Sequence, residues 1–333
     1  MRQGATVVPT LKGAKAWLIT DGKAGHEAQA LGVAEALGVD YEVRRVAPSG
    51  LAQLLAPWGP ADPAFDCRPP WPALVIAVGR TAMPALRLVR RRAGPGTFTV
   101  ALQDPHTSAR IADLIWVPEH DRRRGTNVVT TLTPPHRFTA EMLADLRTAP
   151  DAAIDALPRP RVMVALGGVS KVWRYTAEDC QRLAAALRNL GKAGASFLLT
   201  PSRRTPGEVL AAARGAVCDF PHIVFTGEGD NPYARFLAKA DAIVVTADSV
   251  SMTGEAAATG RPVLVFRPSG GSAKFHRFHD ALAACGATRP LETDGAVDLT
   301  WSHPAIEAAG EIARAIEERW QSRARFLSGM MGR

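Results

Sequence analysis

From Thr246 to Val263 the chain reads Thr-Ala-Asp-Ser-Val-Ser-Met-Thr-Gly-Glu-Ala-Ala-Ala-Thr-Gly-Arg-Pro-Val, a hydroxyl-rich turn and then an alanine-rich helix that Gly260 closes. The apolar runs at 242–245 and 263–266 on either side have the length and composition of buried strands. In such a strand–helix–strand unit the helix N-terminus lies at the carboxyl edge of the sheet. Unpaired N–H groups and the helix dipole favour an anion there. Ser249, Ser251 and Thr253 add hydroxyls, and Glu255, about one turn further in, can accept from a sugar diol. A nucleoside diphosphate suits this set. The same residue types also make an ordinary helix N-cap, so the turn alone leaves both readings open.

Other strand-end turns carry similar chemistry. After the run at 162–166 come Gly167, Gly168, Val169, Ser170 and Lys171. The two glycines allow backbone to approach a phosphate, and Ser170 and Lys171 add a donor and a charge. A tight turn would need the same glycines, and no GxxxxGK[ST] is present, which argues against a P-loop kinase. Ser202, Arg203 and Arg204 follow the next strand and match phosphate geometry. The bland alternative is a solvated basic loop whose Thr205 caps the following helix. The turn at 227–233 can flank a base or ribose, and its Asn231-Pro232 also signals a helix start.

In the first half, Asp21-Gly22-Lys23-Ala24-Gly25-His26-Glu27 ends the first strand. His26, at a helix start, is the candidate catalytic base, with Asp21, Lys23, Gly25 and Arg80 on the acceptor side. Arg80 can pair with an anionic acceptor, and Asp104 and His106 form a second candidate acid–base pair. A solvated or structural histidine is the plain alternative for either. No cluster has metal-ligand spacing, so no metal and no cofactor are expected beyond the nucleotide sugar as substrate.

Positioning these turns requires repeated strand–helix alternation. It runs from residue 16 to 117, pauses over a proline-containing connector at 134–159, and restarts at 162. The pattern predicts an α/β protein of two Rossmann-like, doubly wound parallel-sheet domains facing a cleft. The expected divisions are an N-terminal domain at 1–150 on the acceptor side, a C-terminal domain at 151–303 for the nucleotide sugar, and a helix at 304–333. That helix is expected to pack back across both domains. Its Arg314, Arg319, Arg323, Arg325 and Arg333 also make it a candidate for contact with an anionic membrane surface.

The bulk properties agree. With 333 residues, 47% hydrophobic and 22% charged, the chain can build two cores. A formal charge of +8 favours anionic partners such as nucleotides and acidic lipid, although arginine excess beside abundant Ala, Gly and Pro also follows from a GC-rich bacterial genome. Nucleic acid is not the expected partner. Cys67, Cys180, Cys218 and Cys285 are scattered, without the pairing of a zinc or disulfide framework. Apolar runs are strand-sized and residues 1–15 form a loose tail lacking a signal core. A cytoplasmic protein, peripheral at the inner face of the cell membrane, is expected. No GxGxxG follows either first strand, which argues against a NAD-dependent dehydrogenase.

Asp21 to His26, Gly79-Arg80, Gln103-Asp104-Pro105, Gly167-Gly168, Thr200 to Arg204 and Thr246 to Met252 occur in an order that resembles the mitochondrial fission ELM (elongated mitochondria) family over roughly residues 17–289. Bacterial members of that family are held to be glycosyltransferases, and the family is similar in turn to the GT-B glycosyltransferases. The resemblance implies a GT-B-like fold and a glycosyltransferase using a nucleoside-diphosphate sugar without a metal. It maps donor binding onto Gly168, Ser202, Arg203, Ser249, Ser251 and Glu255, and suggests a cell-envelope glycan or glycolipid as acceptor. It assigns no catalytic base. Two alternatives accompany it, a non-catalytic scaffold that kept the nucleotide-binding fold and a nucleotide-sugar epimerase on the same fold.

Overall fold

The computed structural model describes residues 10–331, with side chains described through residue 326. Two compact units divide the chain: the first runs to Arg137 and takes up the chain again from Glu307, and the second is Phe138–Ile306. The first contains β1 (Lys15–Thr20), α1 (Ala24–Leu37), β2 (Asp40–Arg45), α2 (Gly50–Leu55), β3 (Leu74–Val78), α3 (Met83–Ala93), β4 (Phe98–Leu102), β5 (Leu114–Pro118) and β6 (Val128–Thr131). All of its strand pairs are parallel, in the order β2-β1-β3-β4-β5-β6.

Period-two alternation gives this sheet two buried faces. Leu18, Ile76, Val100 and Trp116 pack on α1, while Ile19, Val75, Ala101 and Ile115 face α3 with Met83 and Leu86. The order reverses between β1 and β3, leaving a crevice outside their carboxyl ends.

The second unit holds α4 (Ala140–Thr148), α5 (Ala152–Asp155), β7 (Arg161–Leu166), α6 (Ala177–Lys192), β8 (Ser196–Pro201), α7 (Gly207–Val217), β9 (His222–Val224), α8 (Tyr233–Lys239), β10 (Ala242–Thr246), α9 (Val250–Ala257), β11 (Val263–Phe266), α10 (Ala273–Ala284) and β12 (Thr288–Pro290). This sheet is also wholly parallel, in the order β12-β11-β10-β7-β8-β9. Counted from its own first strand this is 6-5-4-1-2-3, the dinucleotide-binding order, with its reversal between β7 and β10. Val162, Val164, Phe197 and Val244 pack on α6 and α7, and Met163, Ala165, Ile243 and Val245 face Phe236, Leu237 and Ala256.

The unit boundary falls at 137/138, ahead of the expected 150/151. The reason is α4: capped by the Thr139 hydroxyl, it packs on α8, buries Leu143 and sends Arg147 Nε to the Ala238 carbonyl at 3.1 Å. The closing helix, α11 (Ala308–Met331), belongs to the first unit. Its Ile312, Ala313 and Ile316 enter the core beside Ala30, Val33 and Leu37. Part of the expected loose tail is anchored there too: Leu11 is fully buried and its N–H donates to the Glu317 carboxylate at 3.2 Å. Residues 1–9 of that tail, the Leu327 side chain and Arg333 lie outside the described residues.

Arg323, expected on a membrane-facing surface, is directed inward. It pairs with Asp113 at 2.8 Å, and Asp113 also pairs with Arg90 at 2.7 Å and accepts from Thr99 N and Oγ1, each at 2.8 Å. Burial pulls the Asp113 carboxyl upward, but Arg90 and the Thr99 donors outweigh it and hold it below its ordinary 3.8. A lowered native value means that the stabilisation is present above the unfolded-state value and is lost as pH falls through the native one. Asp113→Asn should therefore cost about 2 kcal/mol at neutral pH, near the low end for breaking a partly buried pair. In urea titrations the gap from wild type should begin to narrow as pH falls below about 4 and narrow further towards the native value.

Candidate functional site

The carboxyl edge of the second sheet is knitted together at its reversal point. Gly167 N donates to Thr246 Oγ1 at 2.7 Å, Gly168 N donates to Asp248 Oδ2 at 2.5 Å, and Tyr175 OH donates to Asp248 Oδ1 at 2.7 Å. Asp248 is thus a nearly buried carboxylate with a donor on each oxygen. The two glycines are needed for close approach, though not of a ligand: a Cβ at Gly167 would strike the Asp248 carboxylate, and one at Gly168 would strike the Arg204 carbonyl. Burial, with Asp248 beside it, raises the Tyr175 phenol far above its usual range, so it stays a donor.

The neighbouring turn joins the same edge. Thr205 Oγ1 donates to the Leu166 carbonyl at 2.9 Å and accepts from Ser202 N at 2.9 Å. Thr205 therefore ties β8 to β7 instead of capping α7, whose N-cap is Pro206. Ser202 Oγ is held by Thr205 Oγ1 at 3.0 Å and by Arg204 N at 3.2 Å. From α10, His279 Nε2 donates to the Ala247 carbonyl at 2.8 Å, bracing the turn before α9.

The polar side chains expected to meet a ligand divide into two groups. Ser249 caps α9, accepting from Met252 N at 3.3 Å, and Ser170 Oγ accepts from Val172 N and Trp173 N at 3.3 and 3.2 Å. Both serve the backbone. Ser251, Lys171, Arg203 and Arg204 are exposed, and of these Arg204 also reaches the Val169 carbonyl at 3.5 Å. These turns and the start of α9 thus expose the Ser251 hydroxyl and three cations.

Glu255 is partnered within the unit. Tyr233 OH donates to its Oε2 at 2.5 Å. Burial pushes the Glu255 carboxyl up to about 7, against the lowering effect of that hydrogen bond. Burial and the adjacent carboxylate also raise Tyr233 well above its usual range. Tyr175 and Tyr233, two of only three tyrosines in the chain, each fix a carboxylate. Tyr175 was not a candidate from sequence, and Tyr233 entered only as the last residue of the turn at 227–233. Their signal was the demand of a buried phenol for a polar partner, but only the fold says which partner.

In the first unit the reversal between β1 and β3 brings Asp21, Lys23, His26 and Gly79 together. Asp21 Oδ1 lies 2.8 Å from His26 Nδ1, and Lys23 Nζ lies 2.5 Å from Asp21 Oδ2. Gly79 has φ +82°, and a Cβ there would collide with the His26 imidazole, so the ring packs against bare backbone. Burial acts to raise Asp21, but Lys23 and His26 outweigh it and hold the carboxyl below its ordinary 3.8. An ionised carboxylate only accepts, so His26 Nδ1 is the donor to Asp21 and Nε2 is the ring's other nitrogen.

Other first-unit candidates are differently placed. Gly25 is an exposed position in the first turn of α1, without close neighbours. Arg80 is turned aside: its guanidinium donates to the Ala56 carbonyl at 2.8 Å and the Gln53 carbonyl at 3.2 Å. Asp104 pairs with Arg123 at 2.7 Å and accepts from His106 N at 2.8 Å, while the exposed His106 sits at φ +51°. The two therefore share a turn through the backbone, not through a side-chain acid–base pair. Gln103, at φ +73°, donates from Nε2 to Gln29 Oε1 at 2.9 Å. Among the described residues, no three His, Cys, Asp or Glu side chains are grouped to hold a metal ion.

Comparison with known proteins adds the following. The family described as Mitochondrial fission ELM1 matches residues 24–320. Mitochondrial fission protein ELM1 of Arabidopsis thaliana is 31% identical over 276 residues, which are 76% of this chain and 65% of that protein. Among solved structures, Staphylococcus aureus MnaA with UDP superposes with a TM-score of 0.52 at 12% identity, covering 93% of this chain and 91% of that one. The Neisseria meningitidis UDP-GlcNAc 2-epimerase bound to UDP-GlcNAc gives 0.51 at 11% identity, covering 96% and 100%. At these identities the likeness concerns the fold, a GT-B-like pair of parallel-sheet units.

The Glu255 environment makes stability depend on pH. An acid raised from 4.5 to about 7 on folding binds more protons in the native state across that interval. Stability is then full below the unfolded value and declines as pH rises through the native one. Urea midpoints of the wild type should fall between pH 5 and 8, and Glu255→Gln should flatten that slope; an equal slope in the variant would contradict this environment. Gly167→Ala should destabilise by about 1–3 kcal/mol through overpacking against Asp248, measured by the same titration.

Proposed function

The chain belongs to the mitochondrial fission ELM1 family, and we propose that it is a glycosyltransferase drawing on a nucleoside-diphosphate sugar. The edge at the second reversal point supports donor binding. Lys171, Arg203, Arg204 and Ser251 are exposed there, and backbone amides begin α9. Guanidinium and ammonium groups offset the charge of a departing diphosphate, and the helix N-terminus adds its dipole. Glu255, oriented by Tyr233, is the ribose-facing carboxylate of this proposal.

The observation that favours an enzyme over a scaffold is the Asp21–His26 pair. The carboxylate fixes the tautomer, leaving Nε2 as the general base. In the proposed step the acceptor hydroxyl loses its proton to His26 Nε2, and its oxygen bonds to the anomeric carbon. The bond from that carbon to the diphosphate oxygen breaks, and the electron pair leaves with the nucleoside diphosphate. Lys23 and Asp21 would frame the acceptor, for which a cell-envelope glycan or glycolipid fits the proposal. A cytoplasmic site of action at the inner membrane face belongs to the same proposal.

Thermal shift and calorimetry with UDP, GDP, CDP and dTDP test donor binding. One of them should stabilise the protein, and the Arg203→Ala/Arg204→Ala variant should bind it about tenfold or more weakly, as befits lost charge-assisted contacts. With an active donor, His26→Ala should lower kcat about 100- to 10,000-fold at little-changed donor KM. Asp21→Asn should fall between it and the wild type. No binding by any diphosphate, or full turnover by His26→Ala, would contradict the proposal.

A further inference from the structure

Helix α2 is built the wrong way round for a core element. None of its residues is buried, and Leu51, Leu54 and Leu55 are 69%, 72% and 44% exposed, with Trp58 just beyond at 68%. A six-residue amphipathic helix ordinarily holds on by its apolar side chains. This one is held by its backbone: Arg80 donates to the Gln53 and Ala56 carbonyls, and Arg87 to those of Pro57 and Trp58. Two guanidiniums thus secure the helix end, and the leucines and the indole point outward.

The charge around the patch is one-sided. No charged residue lies between Val46 and Ala61. The adjoining hollow of about 380 Å³ runs from Gly59 to the arginine face of α3, where Arg87, Arg91 and Arg92 meet a single acid, Asp62. Exposed leucines with a tryptophan, flanked by arginines, match the layered chemistry of a bilayer surface with anionic headgroups: acyl boundary for the leucines, headgroup level for the indole, phosphate for the guanidiniums. A protein partner of ordinary composition would not call for the uncompensated positive rim.

We propose that α2, Trp58 and the exposed Arg91 and Arg92 of α3 form a docking surface for an anionic phospholipid bilayer. It is distinct from the basic C-terminal helix, whose Arg323 is paired with Asp113. It rests on the proposed site of action at the membrane face, and its test is separate from that of the glycosyltransferase site because none of its anchoring apolar residues is placed in the donor or acid–base groups.

The full chain should float with vesicles of phosphatidylglycerol and phosphatidylcholine, and not with phosphatidylcholine alone. Leu51→Gln/Leu54→Gln/Trp58→Gln should reduce the bound fraction about tenfold or more, and Arg91→Glu should weaken it and its salt sensitivity. Trp58→Gln alone, at a position that contributes little burial, provides a folded variant with a smaller loss; unchanged thermal midpoints and nucleoside-diphosphate binding serve as the controls. The proposal is overturned if the wild type does not float with anionic vesicles, or if the triple variant floats equally well. A concentration-dependent dimer abolished by the triple variant would instead assign the patch to a second copy, and would also overturn it.

Discussion

Each sheet reverses its strand order beside its own first strand, and the rest of the functional geometry depends on that reversal. A wholly parallel sheet needs a crossover after every strand, and right-handed crossovers to the two sides of the first strand place consecutive helices on opposite faces. The two loops that diverge there cannot cover the crevice. Backbone amides and short polar side chains meet at the edge, as at Gly167, Gly168, Thr246 and Asp248 in the second unit. In the second unit this lies between β7 and β10, and in the first between β1 and β3.

The two edges meet this constraint differently. The second is closed by protein groups: the Asp248 carboxylate occupies the space a Cβ would take at Gly167 and accepts the Gly168 amide, and the Arg204 backbone lies against Gly168. What it presents outward is the layer above, cationic side chains on a backbone pinned by Asp248, Thr205 and Thr246. Fixed donors of this kind cost little reorganisation when an anion arrives. The first edge instead keeps a titratable ring. Glycine at position 79 lets the His26 imidazole lie on the backbone, and Asp21 sets its tautomer.

Much of the fold was legible because its signals are local. Buried parallel strands are continuous apolar runs, as at 162–166 and 242–245, and glycine and hydroxyl turns punctuate them. Asp21 and His26 were legible only as neighbours in one strand-to-helix turn; their pairing is seen in the fold. What stayed hidden depends on partners distant in sequence: Tyr175 on Asp248, Tyr233 on Glu255, Arg323 on Asp113, and Arg80 on the carbonyls of α2. Helix α2 itself has no core-facing stripe and so left no periodic signal. The expected Asp104–His106 pair failed for a local reason, since a side chain that holds its own turn and an arginine is no longer available to the neighbouring ring.

The central claim is that the second reversal point is a nucleoside-diphosphate site whose backbone is already pinned in the free protein. Amide hydrogen exchange with and without a bound nucleoside diphosphate tests it most directly. Added protection is expected only at the turns 167–171 and 202–205 and the start of α9 at 249–252, with the β7 and β10 amides unchanged. Protection centred elsewhere in the chain, or none at saturating ligand, would contradict it.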